Sequence, residues 1–213
     1  MEKLVFLVSD GVVHPSLVAR FWLRRALIAM PGYRFRRVAS LEMLPQQPLA
    51  AVGAMVLYVH HNTISPPALG RLEEFVSEGG GLLAVHSASA SFREEQRWFE
   101  LLGGRFIEHG PIEQFEVQPS EQQDSAFGEI PPFSVRDELY RHEYDADNRV
   151  RFYTVVGGEQ EPVVWTRSFG SGRVCYCALG HTVRSMRHPQ VVQILRRGLA
   201  SVCSNPPAEE ALV

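Results

Sequence analysis

Uninterrupted apolar runs constrain the fold of this chain more than any other feature of its sequence. They occupy residues 4–8, 54–59 and 82–85. Because these runs are short and lack the alternation of a strand with one solvated face, each predicts a strand buried on both faces. Helices are predicted at residues 15–30 and 66–78, and another strand at residues 33–38. Strands that alternate with helices indicate an α/β fold, with a mostly parallel central sheet flanked by helices.

The second half of the chain is less regular. Residues 111–148 are polar and contain prolines. The stretch 119–132 within them is predicted to be a loop that leaves the core and could form a lid. The pattern after it predicts a strand, a hairpin and a closing helix, at residues 149–156, 162–168 with 173–179, and 189–202. A length of 213 residues suits one such domain. We expect a single domain over residues 1–203 and an unstructured tail over residues 204–213.

Composition argues against several classes of partner. A formal net charge of -3 provides no basic surface for nucleic acid or an anionic membrane. No apolar stretch approaches the roughly 20 residues that cross a bilayer, and the first apolar run turns polar too soon for a signal peptide. The three cysteines form neither a disulfide framework nor a zinc spacing, so we interpret them as packing residues. These features predict a cytoplasmic protein that binds neither nucleic acid nor membrane.

Histidines follow the predicted strands repeatedly. His14 follows the first strand, His60 and His61 follow the third, His86 follows the fourth and His181 follows the last, which makes five of the eight histidines. In an open parallel sheet the carboxyl ends of the strands share one edge, and ligands bind there. A single loop histidine is often merely solvated, but five of them at one edge predict a functional site.

His86 lies in an unusual turn. The strand before it leads into a run that contains only Ser and Ala, and the residues two before and two after it are Ala84 and Ala88. Small residues at these positions are typical of a nucleophile elbow, the tight turn that presents a reactive side chain at the end of a strand. The pattern therefore predicts an elbow that carries a histidine. The alternative is that the small residues only allow a helix to pack close to the sheet.

Four motifs resemble the trehalose-utilisation, or ThuA-like, family. They are GGGLLAVHSASASF at residues 79–92, WFELLGGRFIEHG at 98–110, FSVRDELY at 133–140 and PVVWTRSFGSGRVCYCALGHT at 162–182. They run in the order of the family, and the last is the most specific. The resemblance implies a flavodoxin-like sheet related to the class I glutamine amidotransferases. It also implies a role in the use of trehalose, related sugars and their keto forms.

The resemblance to amidotransferases does not extend to glutaminase activity. In those enzymes the elbow carries a cysteine and a late strand is followed by a histidine, but here His86 occupies the elbow and His181 matches the late histidine. The glutamate expected two residues later is replaced by Val183. Cys175 and Cys177 lie inside a predicted strand. Because hydrolysis through a thioester needs a thiolate at the elbow, we expect no glutaminase activity.

The residues at the strand ends favour acid–base chemistry on a sugar. Histidine titrates near neutrality, and a carboxylate such as that of Glu138 accepts a proton or binds a pair of sugar hydroxyls. We expect His86, His181 and Glu138 to be catalytic, in proton transfer beside a carbonyl or in hydrolysis. The predicted substrate-binding residues are His14, His60, Ser87 and Tyr140.

Alternatives remain open at this point. The stretch with Glu138 could be an acidic turn, and Tyr140 could be a core contact. Histidines with Asp10, Asp137 or Glu138 could bind a divalent ion, but no local ligand spacing supports this, so neither a metal nor a cofactor is predicted. The protein could instead be a non-catalytic sugar-sensing or scaffolding module, although several groups that titrate near neutrality favour an enzyme. A homo-oligomer is possible, but no surface stripe indicates an interface.

Overall fold

A nine-stranded mixed sheet with flanking helices forms the described part of the protein. The computed structural model describes residues 2–11, 17–121 and 126–204, so His14 and residues 205–213 of the predicted tail lie outside it. The strands are β1 Lys3–Gly11, β2 Tyr33–Val38, β3 Val52–His60, β4 Gly81–Val85, β5 Gly104–Pro119, β6 Phe133–Tyr144, β7 Arg149–Val156, β8 Glu159–Phe169 and β9 Gly172–Cys177. The helices are α1 Leu17–Ile28, α2 Pro66–Ser77, α3 Gln96–Leu102, α4 Val183–Met186 and α5 Pro189–Val202, and 3-10 turns lie at Leu41–Gln46 and His86–Ala90. None of the described helices is long and apolar enough to cross a membrane.

The strand order is β2-β1-β3-β4-β9-β8-β7-β5-β6. Pairing is parallel from β2 through β9 and antiparallel from β9 through β6. The central strands are buried along most of their length, and β4 is buried at every residue. The predicted α/β fold class is confirmed. The last parallel strand, β9, pairs with β4 and thereby brings the residues after both strands to one edge of the sheet.

The three glycines before β4 permit a close turn between α2 and the sheet. Helix α2 begins after Ser65, whose hydroxyl accepts a hydrogen bond from the Ala68 N–H, and it ends just before the glycines. Gly79 has a φ of 111°, which favours glycine strongly. A Cβ on Gly81 would run into the backbone of Val202 in α5. The glycines therefore end the helix and let α5 lie directly on β4.

The stretch 111–148 differs from the sequence prediction. The structure places long antiparallel strands here, β5 and β6, rather than an irregular excursion. Most residues of β5 between Glu108 and Gln114 are exposed, so no apolar alternation marks this half of the strand in the sequence. Register shifts along the pair further obscure the pattern. The acidic stretch 137–138 is consequently strand, not turn.

The described end of the predicted lid is packed. Phe127 and Ile130 are almost completely buried, and the ring centroid of Phe127 lies 5.9 Å from that of Phe152 on β7. Arg197 of α5 donates a hydrogen bond to the Phe127 carbonyl. Residues 126–130 are therefore anchored to the core and to α5.

Candidate functional site

The three residues predicted to be catalytic lie together beyond the ends of β4 and β9. His86 follows β4, His181 follows β9, and Glu138 projects from β6. The Oε2 atom of Glu138 lies 3.1 Å from Nδ1 of His181 and 3.6 Å from Nε2 of His86. The two imidazoles approach to 3.3 Å between Nε2 of His86 and Nδ1 of His181. Residues separated by 95 positions in sequence thus form one cluster, because β4 and β9 are parallel neighbours.

His86 has the strained backbone expected of an elbow. Its φ is 45°, in the left-handed region that a non-glycine residue rarely adopts, and a conformation of this kind costs about 1–3 kcal/mol. The 3-10 turn that it begins is buried throughout. The hydroxyl of Tyr176 on β9 donates a hydrogen bond to the His86 carbonyl at 2.9 Å and holds the turn against the sheet. The small residues of this turn therefore fit a strained backbone packed against the sheet.

The hydrogen bonds of His86 define its tautomer. Nδ1 lies 2.7 Å from the carbonyl oxygen of Ala178, which can only accept, so Nδ1 carries the proton. When the ring is neutral, the lone pair is then on Nε2, which can accept a hydrogen bond from Nδ1 of His181. Only the protonated ring can donate from Nε2 to the Glu138 carboxylate. The His86 side chain is almost fully buried, with an exposed fraction of 1%. His86 therefore presents a basic nitrogen to the cluster from a fixed position.

Glu138 is surrounded by ring side chains. Besides His86 and His181, Nδ1 of His109 on β5 lies 3.2 Å from its Oε1. Tyr140, two residues along β6, lies on the same face of the strand, and its ring centroid is 4.1 Å from that of His86. Sequence reasoning did not single out His109 as a site residue. The available signal was its position in the family-like stretch 98–110.

Burial and neighbouring charges shift the pKa values of the groups in the cluster in different directions. Burial alone would raise the pKa of Glu138, but the hydrogen bond to His86 and the charges of His181, His86 and His109 outweigh it and lower this pKa below its usual value. Burial lowers the pKa of His181, and the neighbouring His86 lowers it further. Burial and the nearby carboxylates of Glu138 and Asp137 raise the pKa of Tyr140. At neutral pH the cluster therefore contains a carboxylate, a neutral His181 and a protonated phenol.

Asp137 positions the loop that carries His181. It is completely buried, and its two carboxylate oxygens accept hydrogen bonds from the backbone N–H groups of Gly180, at 2.6 Å, and Thr182, at 2.9 Å. It lies next to Glu138 on β6 and points to the opposite side of the strand. The sequence pattern suggests Asp137 only as a possible metal ligand. Because both oxygens hold backbone groups, it is instead a positioning residue.

Unlike the predicted catalytic residues, the predicted substrate-binding residues do not all lie in the cluster. Tyr140 belongs to the cluster, whereas His14 lies outside the described residues. His60 ends β3 and is half-buried, and the adjacent His61 has its Nε2 atom 3.1 Å from Oδ2 of Asp10. Ser87 is completely buried. Its Oγ atom has no hydrogen-bond partner in the described structure. The contact of Ser87 with a substrate stays a prediction.

The cluster also has the donor set of a divalent-ion site. One donor atom each from His86, Glu138 and His181 lie within 4.8 Å of one another. Ligands held at about 2.1 Å around a tetrahedral ion lie about 3.4 Å apart, close to the observed separations. The hydrogen bond from Nδ1 of His86 to a backbone carbonyl is the support that ligating histidines usually have. No local spacing could reveal this set, because its members come from three different elements.

Several solved structures share this fold. A ThuA-like protein from Parabacteroides merdae ATCC 43184 is similar over 96% of this chain and 91% of its own, with a TM-score of 0.83 and 16% identity. A cytoplasmic protein from Salmonella typhimurium LT2 is similar over 94% of this chain and 99% of its own, with a TM-score of 0.73 and 12% identity. A β-galactosidase from Bacillus circulans sp. alkalophilus is similar over all of this chain but only 31% of its own, with a TM-score of 0.66 and 15% identity.

Sequence comparison identifies the family. A search of curated proteins found no match. The family model described as trehalose utilisation, ThuA, matches residues 4–200, which is nearly the whole chain. The chain therefore belongs to the ThuA family.

Proposed function

We propose that this protein is a carbohydrate-utilisation enzyme that transfers a proton beside the carbonyl of a trehalose-related keto-sugar. The observation that carries the proposal is the buried Glu138 carboxylate, held among His86, His109 and His181. Such a cluster combines the Glu138 anion, the neutral imidazole of His181 and a phenol donor within one small volume. These groups are what enolisation of a keto-sugar requires.

His181 is the proton acceptor in this proposal. Its Nδ1 atom lies beside the Glu138 carboxylate, so in the neutral ring Nδ1 carries the proton and the lone pair is on Nε2. Nε2 takes the proton from the carbon next to the carbonyl, and the C–H electron pair forms the enolate. The imidazolium then returns the proton to the original carbon, or to the former carbonyl carbon once the proton of the neighbouring hydroxyl has moved to the enolate oxygen. Glu138 orients the ring and stabilises the imidazolium, as the carboxylate does in a His–Asp pair.

Tyr140 and His86 complete the proposed site. The raised pKa of Tyr140 keeps its hydroxyl protonated, so it can donate a hydrogen bond to the developing enolate oxygen. His86 contacts the Tyr140 ring and fixes the position of Glu138 from the other side. We propose that these groups bind a carbohydrate and that the protein has no glutaminase activity. Burial raises the pKa of the Cys177 thiol to about 12 and that of the Cys175 thiol still further, so neither supplies a thiolate at neutral pH.

Hydrogen–deuterium exchange tests the proposal. The protein is incubated with 3-ketotrehalose or 3-ketoglucose in D2O, and loss of the proton beside the carbonyl is followed by NMR. Removing a general base typically costs a factor of roughly 10² to 10⁴, so we expect His181→Ala and Glu138→Gln to slow exchange by such factors. The matched control is Glu143→Gln, on the same strand but exposed and paired with Arg105. Exchange that is equal in all variants, or absent with the wild type, would overturn the proposal.

A metal-assisted reaction is the second candidate function. The specific observation in its favour is the separation of the donor atoms of His86, Glu138 and His181, which fits one ion. A divalent ion bound there would polarise the sugar carbonyl. Purified protein that contains a stoichiometric transition metal, and loses exchange activity after treatment with a chelator, would favour this version. Full activity in metal-free protein would exclude it.

The same variants distinguish a non-catalytic sugar-binding module from an enzyme. A sugar-binding module would raise its melting temperature with the keto-sugar and show no exchange, and His86→Ala would simply weaken binding. An enzyme would lose turnover in Glu138→Gln while retaining part of its affinity. A cytoplasmic location is also part of this proposal, and it is supported by the description of the Salmonella relative as a cytoplasmic protein.

A further inference from the structure

A polar cavity lies at the opposite edge of the sheet from the cluster of His86, Glu138 and His181. It has a volume of about 250 Å³ and is formed where β7, β8 and β9 meet the last turn of α5. Arg173 near the start of β9 lines it, whereas the candidate site begins after Cys177 at the end of the same strand. Four residues of strand separate these two positions, about 13 Å. The cavity is therefore distinct from the candidate site.

Arginines dominate the lining of this cavity. Within the described residues, Arg149 and Arg151 from β7, Arg167 from β8 and Arg173 from β9 contribute to it, and Asp147 is the one acidic lining residue. Strand pairing brings them together, because Arg149 is opposite Thr166 and Arg173 is opposite Ser168. We call these four residues the arginine pocket.

The pocket is built into the fold. Arg151 has an exposed fraction of only 6%, and its Nε donates a hydrogen bond to the Thr166 hydroxyl at 2.8 Å. Arg173 donates from Nη1 to the Ser201 carbonyl at 3.4 Å. These bonds fix both planar groups against the cavity wall. The geometry is consequently more organised than that of a group of surface arginines in solvent.

Arg167 adds an unused donor. One Nη atom lies 3.1 Å from Oδ2 of Asp145, but the Nε–H group is buried and has no hydrogen-bond partner in the described structure. An anion that enters the cavity would lower the repulsion among the four positive charges of its lining.

We propose that the arginine pocket binds a small phosphorylated metabolite through its phosphate group. Guanidinium groups match the oxygens of a phosphate in bidentate geometry, and four of them line this one cavity. The volume is several times the roughly 30 Å³ that one water molecule occupies in the liquid, so the pocket has room beyond the phosphate itself. Nothing in the proposed sugar chemistry uses these arginines, so this ligand occupies a second site.

Thermal unfolding with matched anions tests the assignment. The full chain is melted in sodium phosphate and in sodium chloride at equal pH and ionic strength, and then with glucose 6-phosphate and with glucose. At about 100 times its dissociation constant a ligand raises the melting temperature of a domain of this size by roughly 5 to 10 °C. We expect such a rise with phosphate and glucose 6-phosphate. Chloride should not raise the melting temperature by binding to the pocket. Glucose serves as the uncharged counterpart of the sugar phosphate.

Two double variants with the same change in charge separate binding from a general salt effect. Arg149→Gln/Arg173→Gln removes two arginines of the pocket, whereas Arg34→Gln/Arg37→Gln removes two exposed arginines of β2. We expect the phosphate response to be lost in the first and retained in the second. Equal responses in both, or no response of the wild type, would overturn the proposal.

Discussion

Removing the Asp137 carboxylate should destabilise the protein more than removing any exposed acidic group. Asp137 is fully buried and accepts the backbone N–H groups of Gly180 and Thr182, at 2.6 and 2.9 Å. A hydrogen bond to a charged group contributes about 1.5–3 kcal/mol, so Asp137→Ala should lower the free energy of unfolding by about 3–6 kcal/mol. For a chain of this size that lowers the melting temperature by at least about 6 °C.

Urea unfolding followed by circular dichroism measures the effect. Asp137→Asn keeps one acceptor and should lose roughly half as much stability, because its amide N–H₂ then faces one of the two backbone donors. The control is Glu116→Ala, at an exposed position of β5, where a change within about 0.5 kcal/mol is expected. The reasoning is refuted if Asp137→Ala is no less stable than Glu116→Ala. Because Gly180 and Thr182 flank His181, Asp137→Asn should also slow keto-sugar exchange.

Three further outcomes are expected. Burial lowers the pKa of His142 despite the neighbouring Glu161. The contribution of His142 to stability is therefore complete above the ordinary histidine pKa of about 6.5, and it is lost as the pH falls through the lower pKa of the folded state. The free energy of unfolding should decline from pH 7.5 to pH 5 more steeply in the wild type than in His142→Asn. His109→Gln should raise the pKa of Glu138, which ¹³C NMR titration of the labelled carboxyl would detect, and an unchanged pKa would contradict the assigned contact. Gly81→Ala should cost at least about 1–3 kcal/mol in urea unfolding, because its Cβ meets the α5 backbone, and wild-type stability would show that α5 can move away.

Local pattern was sufficient for the parallel half of the sheet. Strand β2 and helix α5 begin and end where the sequence predicts, and β3 and α2 differ by only one or two residues at an end. These elements are buried along a face or on both sides. Because buried positions need apolar residues, the periodicity of each element is visible in the sequence. In β5 that relation fails, because much of the strand is exposed and is held by backbone pairing with β6.

The cluster could be predicted only in part. His86 and His181 were identifiable because residues after parallel strands converge on one edge, whatever the details of packing. His109 was not, because it comes from an antiparallel strand whose register with Glu138 contains bulges. The burial of Ser87 was not predictable for a related reason. Sequence showed that it follows β4, but not that the turn would bury it.

By itself, the sequence determined the α/β class, the order of most elements and the end of the sheet at which histidines gather. Those properties follow from local periodicity and from chain direction. Only the tertiary structure decided that Glu138 lies between His86, His109 and His181, and that four arginines line a cavity at the other edge. Both arrangements depend on the pairing of strands that are distant in sequence, and the energy of that pairing is spread over the whole core rather than encoded in any short segment.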